Sequence, residues 1–429
     1  MKLLLKGGRV ISPLQKLDDI ADVLIDSGLI TAIGKNLSST DAKVYDAKSL
    51  IISPGLIDMH VHLREPGLEA KEDIGSGTRA AAAGGFTTIA CMPNTKPVVD
   101  NSMLVAGIIQ RAQAEGKVNV RVIGALSKGQ EGQELAEIGD MILTGAVAIS
   151  DDGHYVQNAQ LLKNALEYTN IFNKAIISHA EDEALAGEGF MHEGAVSARI
   201  GLKGRPSVAE DIAVARDIML AEYSCSPIHI AHVSSKGAVE LIRQAKQRGV
   251  RVTAEVTPHH ITLTDEDVSG FNPAYKVNPP LRSDDHREAL IEGLKDGTID
   301  VIASDHAPHA YEEKDREFRF APSGFAGLET SLGVVLTSLY HTGRFSIADI
   351  IYKMSVAPAR ILGIEGGTLE VGNKADITII DPDCEWIVDS SVFYTKGKHT
   401  PFDGCKLKGK AVAAIVGGHI VMRNGEVIE

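Results

Sequence analysis

The sequence predicts an α/β protein: a (β/α)8 barrel of the TIM type joined to a small discontinuous β-sandwich domain built from both termini. Residues 54–364 alternate short apolar runs with helix-length segments, the pattern of repeated βα units around a parallel sheet. The flanking segments, 1–53 and 365–429, read instead as short β-branched strands broken by turn residues. With 429 residues, 44% hydrophobic and 23% charged, the chain has an ordinary globular composition and the length for one large barrel plus a smaller unit. An open doubly wound sheet is the competing arrangement, because eight short runs do not by themselves establish closure.

Taken in order, the N-terminal part offers LLLKGGRVIS, ADVLIDSGLITAIG and AKVYDAKSLIIS, each an apolar or β-branched run ended by Gly or Ser. The eight barrel runs are GLIDMHVH (55–62), FTTIACM (86–92), VNVRVIGAL (118–126), AVAIS (146–150), KAIISHA (174–180), PIHIAHV (227–233), VRVTAEVT (250–257) and DVIASDH (300–306). Between them, stretches such as KEDIGSGTRAAAAG, VAEDIAVARDIMLAEY and KGAVELIRQAKQRG space their apolar residues helically and carry Gly near their ends. The C-terminal part returns to strand, turn, strand, with a hairpin signal at Asn424-Gly425. Neither end has enough strands for a sheet of its own, so the two are expected to pair with each other.

Charge and cysteine content narrow the function. Lys and Arg number 43 against 57 Asp and Glu, a net charge of −14 with no basic block, which disfavours DNA, RNA and anionic lipid as partners. The four cysteines, Cys91, Cys225, Cys384 and Cys405, share no CxxC spacing, as expected in a reducing cytoplasm. No stretch approaches the ~18 apolar residues of a membrane span, and the three leucines after Lys2 are too few for an export signal.

The 15 histidines are more informative than their number. His60 and His62 end the first run, and strand alternation sends both imidazoles to one face. His179 ends the fifth run, His232 the sixth and Asp305 the eighth, while Asp151-Asp152-Gly153 follows the fourth. Imidazoles and carboxylates at five strand ends would gather on one rim of a barrel, where such folds carry their sites. Four histidines with two carboxylates exceed the three protein ligands usual for one catalytic zinc and suit two ions bridged by a carboxylate and hydroxide. Water held there would ionise near neutral pH, and Asp305 beside it could pass a proton to a leaving nitrogen, the signature of metal-assisted hydrolysis.

These motifs, GLIDMHVHLREPG (55–67), CMPNTKP (91–97), SHAED (178–182), HIAHVSS (229–235), KVNPPLR (276–282), SDHAPH (304–309) and GTLEVGNKADITIID (367–381), closely resemble those of class I dihydroorotases in the amidohydrolase superfamily. The resemblance runs the length of the chain. It implies zinc-dependent, reversible cyclisation of N-carbamoyl-L-aspartate to (S)-dihydroorotate in de novo pyrimidine biosynthesis. It implies one Zn2+ on His60, His62 and Asp305 and a second on His179 and His232. The bridge would come from Asp152, or alternatively Asp151, because AVAIS lacks the lysine that many relatives carboxylate. Arg64, Asn94 and His309 would hold the substrate carboxylate, with His62, Asn278 and the backbone of Ser323 and Gly324 completing the substrate site. An arginine fork suits a planar carboxylate, the competing role for Arg64 being an ion pair with Glu65 or Glu69.

Residues 307–324 form a long polar stretch read as a lid over the site. His259 and His260 are neighbours, so at most one faces the site, and the other histidines, His229 and His306 among them, are read as ordinary. The alternatives are an allantoinase or dihydropyrimidinase, and an inactive subunit that scaffolds a transcarbamoylase. A homodimer and association with aspartate transcarbamoylase are left open as partners.

Overall fold

The computed structural model describes residues 2–428. Eight parallel strands lie side by side in chain order: β1 (Leu56–Val61), β2 (Phe86–Cys91), β3 (Asn119–Gly124), β4 (Ala146–Ser150), β5 (Ile176–Ser178), β6 (Ile228–Ile230), β7 (Val252–Val256) and β8 (Val301–Ile302). Each of the eight runs contributes one strand. The sheet closes where the chain leaving β8 returns to β1: the His62 N–H donates to the His306 carbonyl at 2.8 Å, and Val61 and His306 form a parallel bridge. Monotonic strand order with first and last strands in contact is a barrel, not a doubly wound sheet.

Two apolar layers hold the barrel. The outward faces of the strands pack on the surrounding helices through residues such as Ile89, Val122, Ile149 and Ile230. A second cluster joins Met59, Ala90, Ile123, Ala148, Ile177 and Ala303, which come from strands on opposite sides and so meet within the barrel. The amino end is floored by residues 353–364. Ser355 Oγ donates to the Gly55 carbonyl at 2.6 Å, Lys353 Nζ to Ile299 at 2.9 Å, and Lys174 Nζ to Leu362 at 3.1 Å. Access from solvent is therefore left to the carboxyl end.

Both termini enter one nine-stranded sheet, as expected from their too few strands apiece. Ile51–Pro54 runs antiparallel to Ile377–Ile387, with Ile52 opposite Ile379. Leu3, Val10, Ile25, Ile52, Ile377 and Ile415 share its core. The sandwich is one hydrogen-bonded sheet curled on itself, and the turn at Gly28 meets the turn at Gly417-Gly418 so closely that a methyl on Gly418 would lie 2.9 Å from the Gly28 Cα.

Two local features differ from the sequence reading. Met191–His192 and Gly204–Arg205 form a small parallel pair in the segment between β5 and the helix Val208–Ser224, and it sets Arg205 at the mouth of the barrel. Residues 307–324 contain a short helix, Tyr311–Lys314, and are stapled from below. Lys314 Nζ donates to the Pro322 carbonyl at 3.0 Å, and Lys276 Nζ donates to the Phe318 and Arg319 carbonyls, each at 2.9 Å. No helix among the described residues is long and apolar enough to cross a membrane.

A candidate metal centre at the carboxyl ends of the strands

The six side chains singled out as metal ligands converge on one buried point. Asp152 is its hub: its oxygens lie 3.4 Å from His60 Nε2, 3.4 Å from His62 Nε2, 3.5 Å from His179 Nδ1 and 3.4 Å from His232 Nε2. Asp305 lies opposite, 3.1 Å from His62 Nε2 and 3.6 Å from His60 Nε2. The chain reaches these positions with unusual backbone. His232, Asp305 and Arg64 have φ of 30°, 48° and 61°, a region that costs a non-glycine residue about 1–3 kcal/mol and is tolerated where surrounding structure enforces it.

The neighbouring aspartates divide sharply. Asp151 turns away and accepts the Leu126 N–H at 2.8 Å, the Ser127 N–H at 3.0 Å and the Ser127 hydroxyl, so it is occupied in bracing the loop after β3. Of the two, Asp152 alone enters the centre.

Burial would raise both carboxylates, but the imidazoles outweigh it. His60, His179 and His232 hold Asp152 well below the usual range, and His62 with His60 does the same for Asp305. Conversely, Asp152 and Glu255 raise His60 well above its ordinary value against the effect of burial. His60 Nε2, Asp152 Oδ1 and His232 Nδ1 are buried with no hydrogen-bond partner. Two sets of atoms lie within metal-ligand reach of each other, His60, Asp152 and His232 in one and His60, His62 and Asp305 in the other. The unpartnered His60 Nε2 and Asp152 Oδ1, set among converging imidazoles and carboxylates, fit a divalent ion of the zinc type.

Beside the centre opens a cleft of about 250 Å3. Arg64, Asn94, Asn278, His309, Ser323 and Gly324 line it, so every residue named for the substrate is brought there. Arg64 is buried and donates through Nε to the Pro308 carbonyl at 3.2 Å. Glu65 is engaged by Arg111 and by the Ile74 N–H, and Glu69 by the Gly67 N–H, so the competing ion pair is not formed. Asn94 Oδ1 accepts from His62 Nδ1 at 2.8 Å, which turns His62 Nε2 toward the carboxylates and leaves the Asn94 amide hydrogens for the cleft. His309 bonds the Ser323 carbonyl through Nε2 at 2.8 Å, and burial together with the Arg64 charge lowers its pKa, so it is a neutral imidazole with its hydrogen on Nε2. One expectation needs correction: the Gly324 N–H donates to the Lys276 carbonyl at 2.9 Å, so that donor is spent inside the protein.

Sequence reading missed Glu255, Glu181 and Arg205. Arg205 Nη1 pairs with Glu181 at 2.9 Å and donates to Asn278 Oδ1, fixing Asn278 so that its Nδ2 meets His179 Nε2 at 3.0 Å. Glu255, fully buried, contacts His60 and His229. Its signal was available: a carboxylate inside the apolar strand VTAEV must find partners or not be buried. Of the paired histidines, His260 bonds the Thr257 hydroxyl and the Pro279 carbonyl, while His259 packs against Phe325 at 5.0 Å, and neither lines the cleft.

A family profile described as Dihydro-orotase-like matches residues 49–238. The dihydroorotase of Pelotomaculum thermopropionicum is 55% identical over 424 residues, covering 99% of each chain, and that of Pelobacter propionicus is 54% identical, covering 99% of this chain and 100% of its own. Among solved structures, the L-hydantoinase (dihydropyrimidinase) of Arthrobacter aurescens superposes with a TM-score of 0.90 at 29% identity, over 100% of this chain and 97% of its own.

Proposed function

The chain belongs to the dihydroorotase family, and from that premise we propose that it interconverts N-carbamoyl-L-aspartate and (S)-dihydroorotate in the cytoplasm, as a zinc-dependent step of pyrimidine (UMP) biosynthesis. The observation that carries the reading is the buried Arg64 in the same cleft as the six-residue metal centre. A cyclic amide without a carboxylate has no use for a desolvated guanidinium, whereas dihydroorotate presents a planar carboxylate that an arginine grips.

Two zinc ions would be held by His60, His62 and Asp305 and by His179 and His232, with Asp152 between them, and when bound they supply a water of lowered pKa and polarise the amide carbonyl. Arg64 and the Asn94 amide hydrogens anchor the exocyclic carboxylate, and Asn278, locked by Arg205, faces the ring. His309, whose Nδ1 makes no hydrogen bond and lies 3.5 Å from Glu313, joins them once the anionic substrate favours its protonated form. In ring opening, water adds to the ring carbonyl carbon and the C–N bond breaks. Asp305, kept ionised by His62 and His60 despite its burial, takes a proton from that water and delivers it to the departing nitrogen. Cyclisation retraces these steps with the same groups.

The dihydropyrimidinase alternative draws on the superposition with the A. aurescens enzyme. Against it stand β4, AVAIS, which offers no lysine to carboxylate, and the higher identity to dihydroorotases. The test is dihydroorotate hydrolysis by purified protein before and after chelation, with zinc counted. We expect two zinc ions per chain and activity lost and regained with them. Full activity in metal-free protein would reject the mechanism.

A further inference from the structure

Glu255 lies next to last in β7, with its carboxylate buried beneath the metal centre. Its Oε1 is 2.5 Å from His60 Nδ1 and 3.2 Å from the His232 backbone N–H, and its Oε2 is 3.2 Å from His229 Nε2. An ionised carboxylate only accepts, so each contact requires hydrogen on the partner. A neutral, ligating His60 therefore carries its hydrogen on Nδ1, which leaves the lone pair on Nε2. That Nε2 is buried, has no hydrogen-bond partner and lies 3.4 Å from Asp152 and 3.6 Å from Asp305. His60 is also the residue common to both sets of potential ligands.

The same oxygen reaches the second subsite through backbone. His232 turns out of β6 with φ of 30°, and its N–H is held in that turn by Glu255. Glu255 is steadied in turn by His229, whose Nδ1 meets the Thr253 hydroxyl at 2.9 Å. We propose that Glu255 is a positioning residue shared by both subsites of the metal centre: one carboxylate oxygen aims the His60 lone pair at the ions and fixes the strained turn that presents His232. This rests on the metal-centre reading above.

Removing a carboxylate that orients a ligating histidine lowers metal affinity by about 10–100-fold in comparable sites. The test is zinc affinity by competition with a chromophoric chelator for wild type, Glu255→Ala and His229→Gln, together with thermal melting of each metal-free chain. We expect Glu255→Ala to bind zinc about 10–100-fold more weakly while its metal-free chain still unfolds cooperatively. His229→Gln, which leaves both Glu255 Oε1 contacts intact, should bind within about threefold of wild type. Nitrogen NMR of the zinc-loaded wild-type chain with labelled histidine supplies a readout free of folding effects, and should place hydrogen on His60 Nδ1 and none on Nε2. Wild-type zinc affinity in Glu255→Ala, or a zinc-loaded chain with no hydrogen on His60 Nδ1, overturns the role of Glu255 alone. A wild-type chain that binds no zinc overturns the metal-centre reading and this proposal with it.

Discussion

Asp151 and Asp152 are adjacent, chemically identical and both buried, yet their substitutions should fail in opposite ways. In Asp151→Asn the side-chain oxygen still accepts the Leu126 and Ser127 N–H groups, but the charge-assisted bonds become neutral ones and an amide faces the Ser127 hydroxyl. Halving the strength of these bonds costs about 1–2 kcal/mol, and Asp151→Ala, which orphans two backbone N–H groups, roughly 2–6 kcal/mol. At roughly 1 °C per kcal/mol for a chain of 429 residues, Asp151→Asn should melt about 1–2 °C below wild type while its folded fraction stays within about threefold of wild-type activity. Asp152→Asn instead withdraws the carboxylate that faces His60, His62, His179 and His232. Since losing even an outer partner of a metal ligand costs 10–100-fold, activity should fall by roughly 10²-fold or more in a chain that remains folded. The assays are thermal melting followed by circular dichroism and ring opening followed by dihydroorotate absorbance. An active Asp152→Asn beside an inactive, thermally normal Asp151→Asn would refute the assignment.

Asp305→Asn should lower kcat by about 10²–10⁴-fold, the worth of a positioned acid–base group, and wild-type turnover would remove Asp305 as proton carrier. Arg64→Met removes a charge-assisted contact worth about 1.5–3 kcal/mol, so KM for dihydroorotate should rise by roughly 10–150-fold with a smaller change in kcat, and an unchanged KM would contradict it. Glu329 accepts the Tyr394 N–H at 2.7 Å and the Thr395 N–H at 3.2 Å, and burial pushes its carboxyl up to about 8. A raised acid binds its proton more tightly folded than unfolded, so its contribution is complete below about pH 4.5 and is lost as pH rises to about 8, at up to roughly 1.4 kcal/mol per pH unit. Glu329→Gln, which mimics the protonated acid, should flatten the decline in melting temperature across that window, and parallel curves would count against a neutral Glu329.

The sequence disclosed most of this architecture because the signals are local. His60 and His62 share a face through strand alternation, and ligand-type residues at five strand ends mark the carboxyl rim before any fold is drawn. What it could not disclose depends on where strands stop and on what crosses the barrel. Asp151 and Asp152 face opposite ways, and only the end of β4 at Ser150 and the Ser127 backbone settle which one enters. Glu255 stays hidden because its partners, His60 and His232, come from other strands. Gly324 lies in the cleft as expected, but the use of its N–H is fixed by Lys276, 48 positions earlier in the chain and legible only in three dimensions.

The central claim is a carboxylate-reading cyclic amide hydrolase, and the most direct measurement is kcat/KM for the zinc-loaded protein on dihydroorotate, dihydrouracil, allantoin and hydantoin side by side. The buried Arg64 predicts a preference for dihydroorotate over each uncharged ring of at least about tenfold, the equivalent of one charge-assisted hydrogen bond. Equal or greater kcat/KM on dihydrouracil, allantoin or hydantoin would contradict the account.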